Sequence, residues 1–317
     1  MTDTSKKLKR LKQVNRILRD SLRECAICPR RCKVDRTALK LGYCRAGYNP
    51  KVYSHYPHHG EEPPISGTTG SGVIFFSYCN MKCVYCQNYY FSQLDKGQEI
   101  STDKLSGMML ELEQKGCHNI NLVTPTHFVP QILSALEMAT EKGLTLPIVY
   151  NTSGYELAET IKLLDGVVDI YLTDMRYSDD DMAKRYSDAV KYTEFNRSAV
   201  STMQQQVGDL VLDSHGIAQR GLIIRLLALP GDVSGIKKTL NFIKDNISKN
   251  THLSVMSQYY PTYKAYSYTE LSRGITQSEY KFIIDEAAFL GLNNGWIQQI
   301  PSTDNSNYFG TSINPDV

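Results

Sequence analysis

Eight cysteines are spread unevenly along this 317-residue chain, and their positions restrict its fold more than any other feature. Three follow a strand-like run, Gly72-Val-Ile-Phe-Phe-Ser-Tyr78, as Cys79-x3-Cys83-x2-Cys86. Four more lie at Cys25, Cys28, Cys32 and Cys44. Cys117 stands alone after a helix stop at Gly116, where a buried, inert thiol is expected. Such short spacings suit thiolates converging on a metal centre rather than disulfides. The triplet supplies three ligands, one short of the four that usually close a four-iron cluster. One iron would then stay open and could chelate a small molecule. The competing reading is a zinc knuckle whose fourth ligand lies elsewhere.

Composition narrows the class. Hydrophobic residues make up 41% and charged residues 21%, which suits a globular chain with a real core. Lys+Arg 35 against Asp+Glu 33 leaves a net charge of +2, too balanced for an electrostatic nucleic-acid or membrane binder. No apolar run reaches the roughly 18 residues a membrane span needs. The N-terminus carries Lys6, Lys7, Lys9, Arg10, Lys12, Arg16, Arg19 and Arg23, with Leu8, Leu11, Val14, Ile17, Leu18 and Leu22 at helical spacing. That is a basic amphipathic helix of a cytoplasmic protein, not a leader with a continuous apolar stretch, and it is expected to pack on its own domain.

Strand and helix patterns then alternate. After the cysteine loop, Thr102 is a helix-cap candidate for a helix ending near Gly116. Strands are expected at Asn119–Thr124, Pro147–Thr152, Asp169–Asp174, Gly221–Leu229 and His252–Tyr259. Helices are expected at about 130–141, 155–164, 179–206 and, after a Ser234 cap, up to about 249. Thr276-Gln-Ser-Glu279 is a capping box opening a final helix. With the run before Cys79 this gives six strands of an α/β fold. A full eight-fold barrel needs about 250 residues, so a partial (β/α)6 barrel fits the span better. The doubly wound alternative lacks a Gly-rich phosphate turn after its first strand. The Pro/Gly/Ser-rich segment 60–72 divides residues 1–66, a basic helix with a small Cys-rich metal-binding subdomain, from residues 67–317, the barrel with a C-terminal extension.

Polar residues collect where the expected strands end, which is where barrels of this kind carry chemistry. They are Thr124, Thr126 and His127, then Asn151 and Ser153, then Asp174 beside Arg176, and Gln258-Tyr259. Arg225 lies inside the apolar run Leu222–Leu229, where a guanidinium needs an anion. For each there is a structural alternative: helix caps for the Thr, Asn and Ser residues, and ion pairs for Asp174 and Arg225. Cys25, Cys28, Cys32 and Cys44 suffice to close a second site, holding a structural zinc or single iron, or an auxiliary iron–sulfur cluster. His55, His58 and His59 lie nearby and could complete either site, but read first as ordinary connector residues.

Cys79-x3-Cys83-x2-Cys86, with Tyr85 before the last cysteine, resembles the signature of radical S-adenosylmethionine (SAM) enzymes. Cys25-Ala-Ile-Cys-Pro-Arg-Arg-Cys32, Gly42-Tyr-Cys-Arg-Ala-Gly47, Gly60-Glu-Glu-Pro-Pro-Ile-Ser-Gly67 and Cys86-Gln-Asn88 are similar to one branch. So are Val123-Thr-Pro-Thr-His127, Asn151-Thr-Ser-Gly154, Gln258-Tyr259 and Ala265-Tyr266. That branch is the PflX-type homologues of pyruvate formate-lyase activating enzyme, and the resemblance runs from about residue 25 to about 290. It implies an oxidoreductase with a 4Fe-4S cluster on Cys79, Cys83 and Cys86 that cleaves SAM to a 5′-deoxyadenosyl radical. It also implies a reductant such as flavodoxin or ferredoxin. Cofactor contacts fall to Tyr85, Thr124, Thr126, His127, Asn151, Ser153, Asp174 and Arg225.

The chain departs from its relatives in places. It lacks the Gly-Gly-Glu segment by which activating enzymes hold the SAM amino group. It has Met203-Gln-Gln-Gln-Val-Gly208 for a common Met-x-Arg-Gln-Val-Gly, and Leu226 where a His commonly follows the strand arginine. A protein or peptide substrate, as for a glycyl-radical-enzyme activase, is favoured over a small metabolite. The reading of a different class is a non-catalytic metal-knuckle module binding RNA or protein. Charge balance and the cysteine triplet speak against it.

Overall fold

The apolar runs pair into one open sheet in the computed structural model, which describes residues 3–298 and 310–312. Its main strands are β1 (Lys51–His58), β2 (Ser71–Phe76), β3 (Ile120–Val123), β4 (Ile148–Thr152), β5 (Ile170–Asp174), β6 (Ala218–Leu227), β7 (His252–Met256) and β8 (Gly295–Gln298). From β2 to β8, strands consecutive in this series are parallel neighbours. The longer helices are α1 (Asp3–Asp20), α2 (Thr102–Gln114), α3 (Val129–Glu141), α4 (Ala158–Leu163), α5 (Asp180–Ser187), α6 (Tyr192–Val207), α7 (Ile236–Asn246) and α8 (Gln277–Phe289). The expected partial barrel of six strand–helix units is therefore present. β8 is added beyond it, a four-residue strand too short to stand out by periodicity. The sheet's two ends do not pair among the described residues, so the barrel stays open.

Burial explains the strand composition. β3 and β4 are buried at every position, the mark of parallel strands covered on both faces. α1 lays Leu11, Val14 and Leu18 into the main core beside α3. Its basic residues pair with the barrel's outside, Lys7 with Asp169 at 2.5 Å and Lys12 with Glu141 at 2.7 Å. The N-terminal helix thus packs on its own chain. No helix among the described residues is long and apolar enough to cross a membrane.

The segment ahead of residue 67 shares the barrel's sheet. β1 runs antiparallel to β2, from Val52 opposite Phe76 to His58 opposite Ser71. Lys51 therefore lies at the carboxyl end of β2, and its carbonyl accepts from Ser77 N at 2.9 Å. The cysteine-rich loop just before β1 is carried to the same end. Residues Pro63–Ser66 then form a short helix whose Ile65 packs with Val149, Ile170, Leu172, Ala218 and Ile223, filling the barrel's interior.

Local differences from the sequence expectation have identifiable causes. Ser101, not Thr102, caps α2, its side chain accepting from Lys104 N. α4 begins at Ala158 because Tyr155 and Glu156 are drawn into the interior of the preceding loop. Ser234 does not cap α7: Gly235 turns left-handed (φ 61°) and takes the cap position. β6 ends at Leu227 rather than Leu229. The Thr276 capping box is present on both of its arms.

Candidate active site

The carboxyl ends of the parallel strands surround a cleft of about 450 Å³. Cys79, Cys83 and Cys86 line it, delivered by β2 through a turn at Tyr78, whose φ is 72°. The loop is built around the sulfurs. Met81 N donates to Cys79 Sγ at 3.4 Å, and Ser187 Oγ donates to Cys83 Sγ at 3.0 Å. Ser92 Oγ lies 3.3 Å from Cys86 Sγ. The Arg176 guanidinium sits 3.5 Å from Cys83 Sγ. Burial, reinforced by the neighbouring thiols, pushes Cys79 up to about 12 and Cys86 up to about 11. Bare thiolates are thus disfavoured here, and a bound metal would supply the charge that releases the protons. These donors and this arginine suit a cluster held by three thiolates.

The walls carry most of the expected polar residues. Thr124 lines the cleft in a left-handed conformation (φ 57°), uncommon for a β-branched residue and a mark of a functionally constrained backbone. Asn151 and Ser153 line it from the end of β4, and the buried Ser153 hydroxyl has no hydrogen-bond partner. Gly154 allows that loop to close, because a Cβ there would stand 2.4 Å from the Asp174 carbonyl oxygen. Asp174 Oδ2 accepts from Arg176 Nε at 2.9 Å and Nη2 at 2.6 Å. That pair aims the guanidinium at the cysteine loop.

One wall is an ion-pair cluster. Arg225 Nε donates to Glu62 Oε1 at 2.6 Å and Nη2 to Glu62 Oε2 at 2.7 Å, with Glu61 on the same nitrogen. Its Nη1 donates to Asn151 Oδ1 at 3.3 Å. Despite desolvation, the Arg225 charge and hydrogen bonds hold Glu62 below its ordinary value. Glu61 and Glu62 carried no role in the sequence reading. Their signal was an arginine buried in an apolar strand, which requires carboxylates from elsewhere in the chain.

Three expected contacts are placed differently. Tyr85 presents its ring to the cleft, but its hydroxyl is 2.6 Å from the Tyr177 hydroxyl, facing inward. Thr126 and His127 lie beneath the cleft wall and do not line it. His127 Nε2 is 2.7 Å from the Ser77 carbonyl, and burial drives its pKa down to about 3. Thr126 Oγ1 donates to Glu156 at 2.6 Å.

Glu156 is fully buried, accepts from Thr126, Thr152 and Tyr150, and is pushed up by burial to about 7 from 4.5. Its folded pKa lies above its unfolded one, so its contribution is fully present below the unfolded pKa. It is lost as pH rises through about 7. Between pH 4 and 8, Glu156→Gln should gain about 3 kcal/mol of unfolding free energy relative to the unsubstituted protein. Denaturant titrations of both proteins at the two pH values measure this. Parallel pH slopes would refute it.

A partial barrel whose first parallel strand delivers three cysteines to an open cleft is the architecture of radical SAM enzymes. The model of the Radical SAM superfamily matches residues 73–200. The chain is 30% identical over 288 residues to the uncharacterized protein MJ0674 of Methanocaldococcus jannaschii, covering 87% of this chain and 78% of that one. It belongs to the radical SAM superfamily and is a radical SAM enzyme. Among solved structures it is similar to methylornithine synthase (PylB), at 15% identity and TM-score 0.49, covering 71% of this chain and 63% of that one. It is also similar to HydG, a maturase of the FeFe-hydrogenase, at 12% identity and TM-score 0.46, covering 69% and 49%. The chain thus spans less than two thirds of either solved structure. Family membership implies a 4Fe-4S cluster and SAM.

Proposed function

We propose that this radical SAM enzyme takes hydrogen from a protein or peptide substrate, in the manner of a glycyl-radical-enzyme activase. When bound and reduced by a one-electron donor such as flavodoxin or ferredoxin, the cluster and SAM supply a 5′-deoxyadenosyl radical. Cys79, Cys83 and Cys86 hold three of the irons. Thr124, Asn151, Ser153 and Asp174 offer polar atoms for the ends of SAM. Arg225 orients Asn151 by holding its side-chain oxygen, and Arg176 offsets charge on the cysteine loop. Thr126 and His127 support these groups from beneath, and Tyr85 presents its ring to the cleft. The observation that carries the reading is a cleft lined by three cysteine thiols and no fourth.

One feature of the surface favours a peptide. β1 pairs with residues 98–99 only at Lys51 and Val52, so its edge from Tyr53 to His58 has no ladder partner among the described residues. Tyr56 and His58 on that strand also line the cleft. Tyr53 stacks on Phe91 at 4.6 Å, extending an apolar strip along the strand. An extended segment could add to this edge and lead a residue inward. Photo-crosslinking in cells, followed by a 5′-deoxyadenosine assay with the captured protein, tests the substrate. The expected partner raises deoxyadenosine yield and loses hydrogen from one residue. If only small molecules raise the yield, the protein-substrate reading fails.

A further inference from the structure

Cys25, Cys28, Cys32 and Cys44 line a second, small enclosed cavity outside the cleft. All four are free thiols. As in the cleft, the surrounding backbone is arranged around sulfur. Tyr43 N donates to Cys32 Sγ at 3.3 Å, and backbone N–H groups of Arg30 and Ala46 serve Cys28 and Cys44. Gly42 packs so closely that a Cβ would come within 2.9 Å of Cys32 Sγ.

Arg36 makes the stronger argument. It is 1% exposed and donates to the carbonyls of His127 at 2.8 Å and Gly47 at 2.7 Å. Its Nη1 also lies 3.9 Å from Cys25 Sγ. No carboxylate pairs with it among the described residues. A buried guanidinium beside neutral thiols would be an uncompensated charge. Four metal-bound thiolates would supply the missing negative charge.

The spacing points to the kind of metal. Three of the four thiols sit within eight residues on one loop, and the fourth comes from residue 44. Zinc knuckles are more usually built from two separated pairs, whereas three clustered cysteines with a distant fourth is an iron–sulfur spacing.

We propose that Cys25, Cys28, Cys32 and Cys44 hold a second 4Fe-4S cluster. Closed by four thiolates, it binds neither SAM nor substrate. It exchanges single electrons with the cleft cluster, with no bond made or broken at its own site. The two loops touch: Arg30, two residues after Cys28, donates to the carbonyl of Asn80 at 2.9 Å, between Cys79 and Cys83. The electron-exchange role rests on the cleft reading above, whereas the metal content does not.

Metal and sulfide analysis of the anaerobically reconstituted Cys79→Ala/Cys83→Ala/Cys86→Ala protein is the test. About four irons and four sulfides per chain are expected, with a paramagnetic signal on dithionite reduction. One zinc, a single iron without sulfide, or no metal would overturn the proposal. If that variant does not fold, the unsubstituted protein decides, with about eight irons expected and about four overturning the idea. Electron exchange requires the reduced unsubstituted protein to show spin–spin splitting, beyond the sum of the spectra of the triplet variant and a Cys25→Ser/Cys28→Ser/Cys32→Ser variant. Simple additivity would remove that role. A quartet variant that keeps four irons and a SAM-dependent spectral shift leaves the cleft reading intact either way.

Discussion

Cys79→Ala is expected to abolish reductive SAM cleavage. The substitution removes one of three ligands from a site with no spare thiol in the cleft. Ser187, Arg176 and Ser92 serve Cys83 and Cys86 and offer no soft ligand to replace it. The cluster iron should fall away. 5′-Deoxyadenosine formed from SAM by dithionite-reduced protein should then drop to the protein-free level. The Cys117→Ala control should cleave SAM normally, because Cys117 is packed in the main core, away from the cleft. Undiminished deoxyadenosine from Cys79→Ala would remove the triplet from the chemistry altogether. Cluster assembly should also favour higher pH, because the thiols at Cys79 and Cys86 are held protonated by burial, near 12 and 11, until metal displaces the protons.

The second large effect is expected at Arg225. Its side chain is 16% exposed, and its partners Glu61 and Glu62 are 8% and 5% exposed. Arg225→Met would leave two carboxylates in the barrel interior without their cation. Breaking a buried pair in this way costs about 3–5 kcal/mol, mostly the penalty for the charges left behind. Glu61→Gln/Glu62→Gln/Arg225→Met, which removes every charge, should be far less destabilised. The depressed pKa of Glu62 sets the sign of the pH dependence. Its contribution is present above the unfolded carboxylate pKa and lost as pH falls through the lower folded value. Guanidinium unfolding of the three proteins near neutral pH measures these effects. A single variant as stable as the unsubstituted chain would show that the cluster is not structural.

Much of this was legible before any coordinates. Three cysteines after an apolar strand carry the metal reading, because ligand spacing within one loop is a local property. The alternation of apolar runs with helical periods carries the parallel sheet, since strands buried on both faces must be apolar throughout, as β3 and β4 are. Thr124, Asn151, Ser153 and Asp174 followed from one rule, that the ends of barrel strands face the site. What the sequence left open was pairing between distant segments. It contained Arg225 and Glu61-Glu62, but only the short helix Pro63–Ser66 inside the barrel brings them together across 163 residues. It named Thr126 and His127 without saying which way they face, and the left-handed backbone at Thr124 (φ 57°) precedes the turn that places them beneath the wall. It showed two groups of cysteines, yet their contact through Arg30 and Asn80 depends on β1 folding back along β2. The cysteine spacing, the six long apolar strands and the Thr276 capping box are short-range and were legible in the sequence alone, whereas the caps at Ser101 and Gly235 were not. Charge partners and the proximity of the two thiol groups are long-range and were decided only when the sheet set its register.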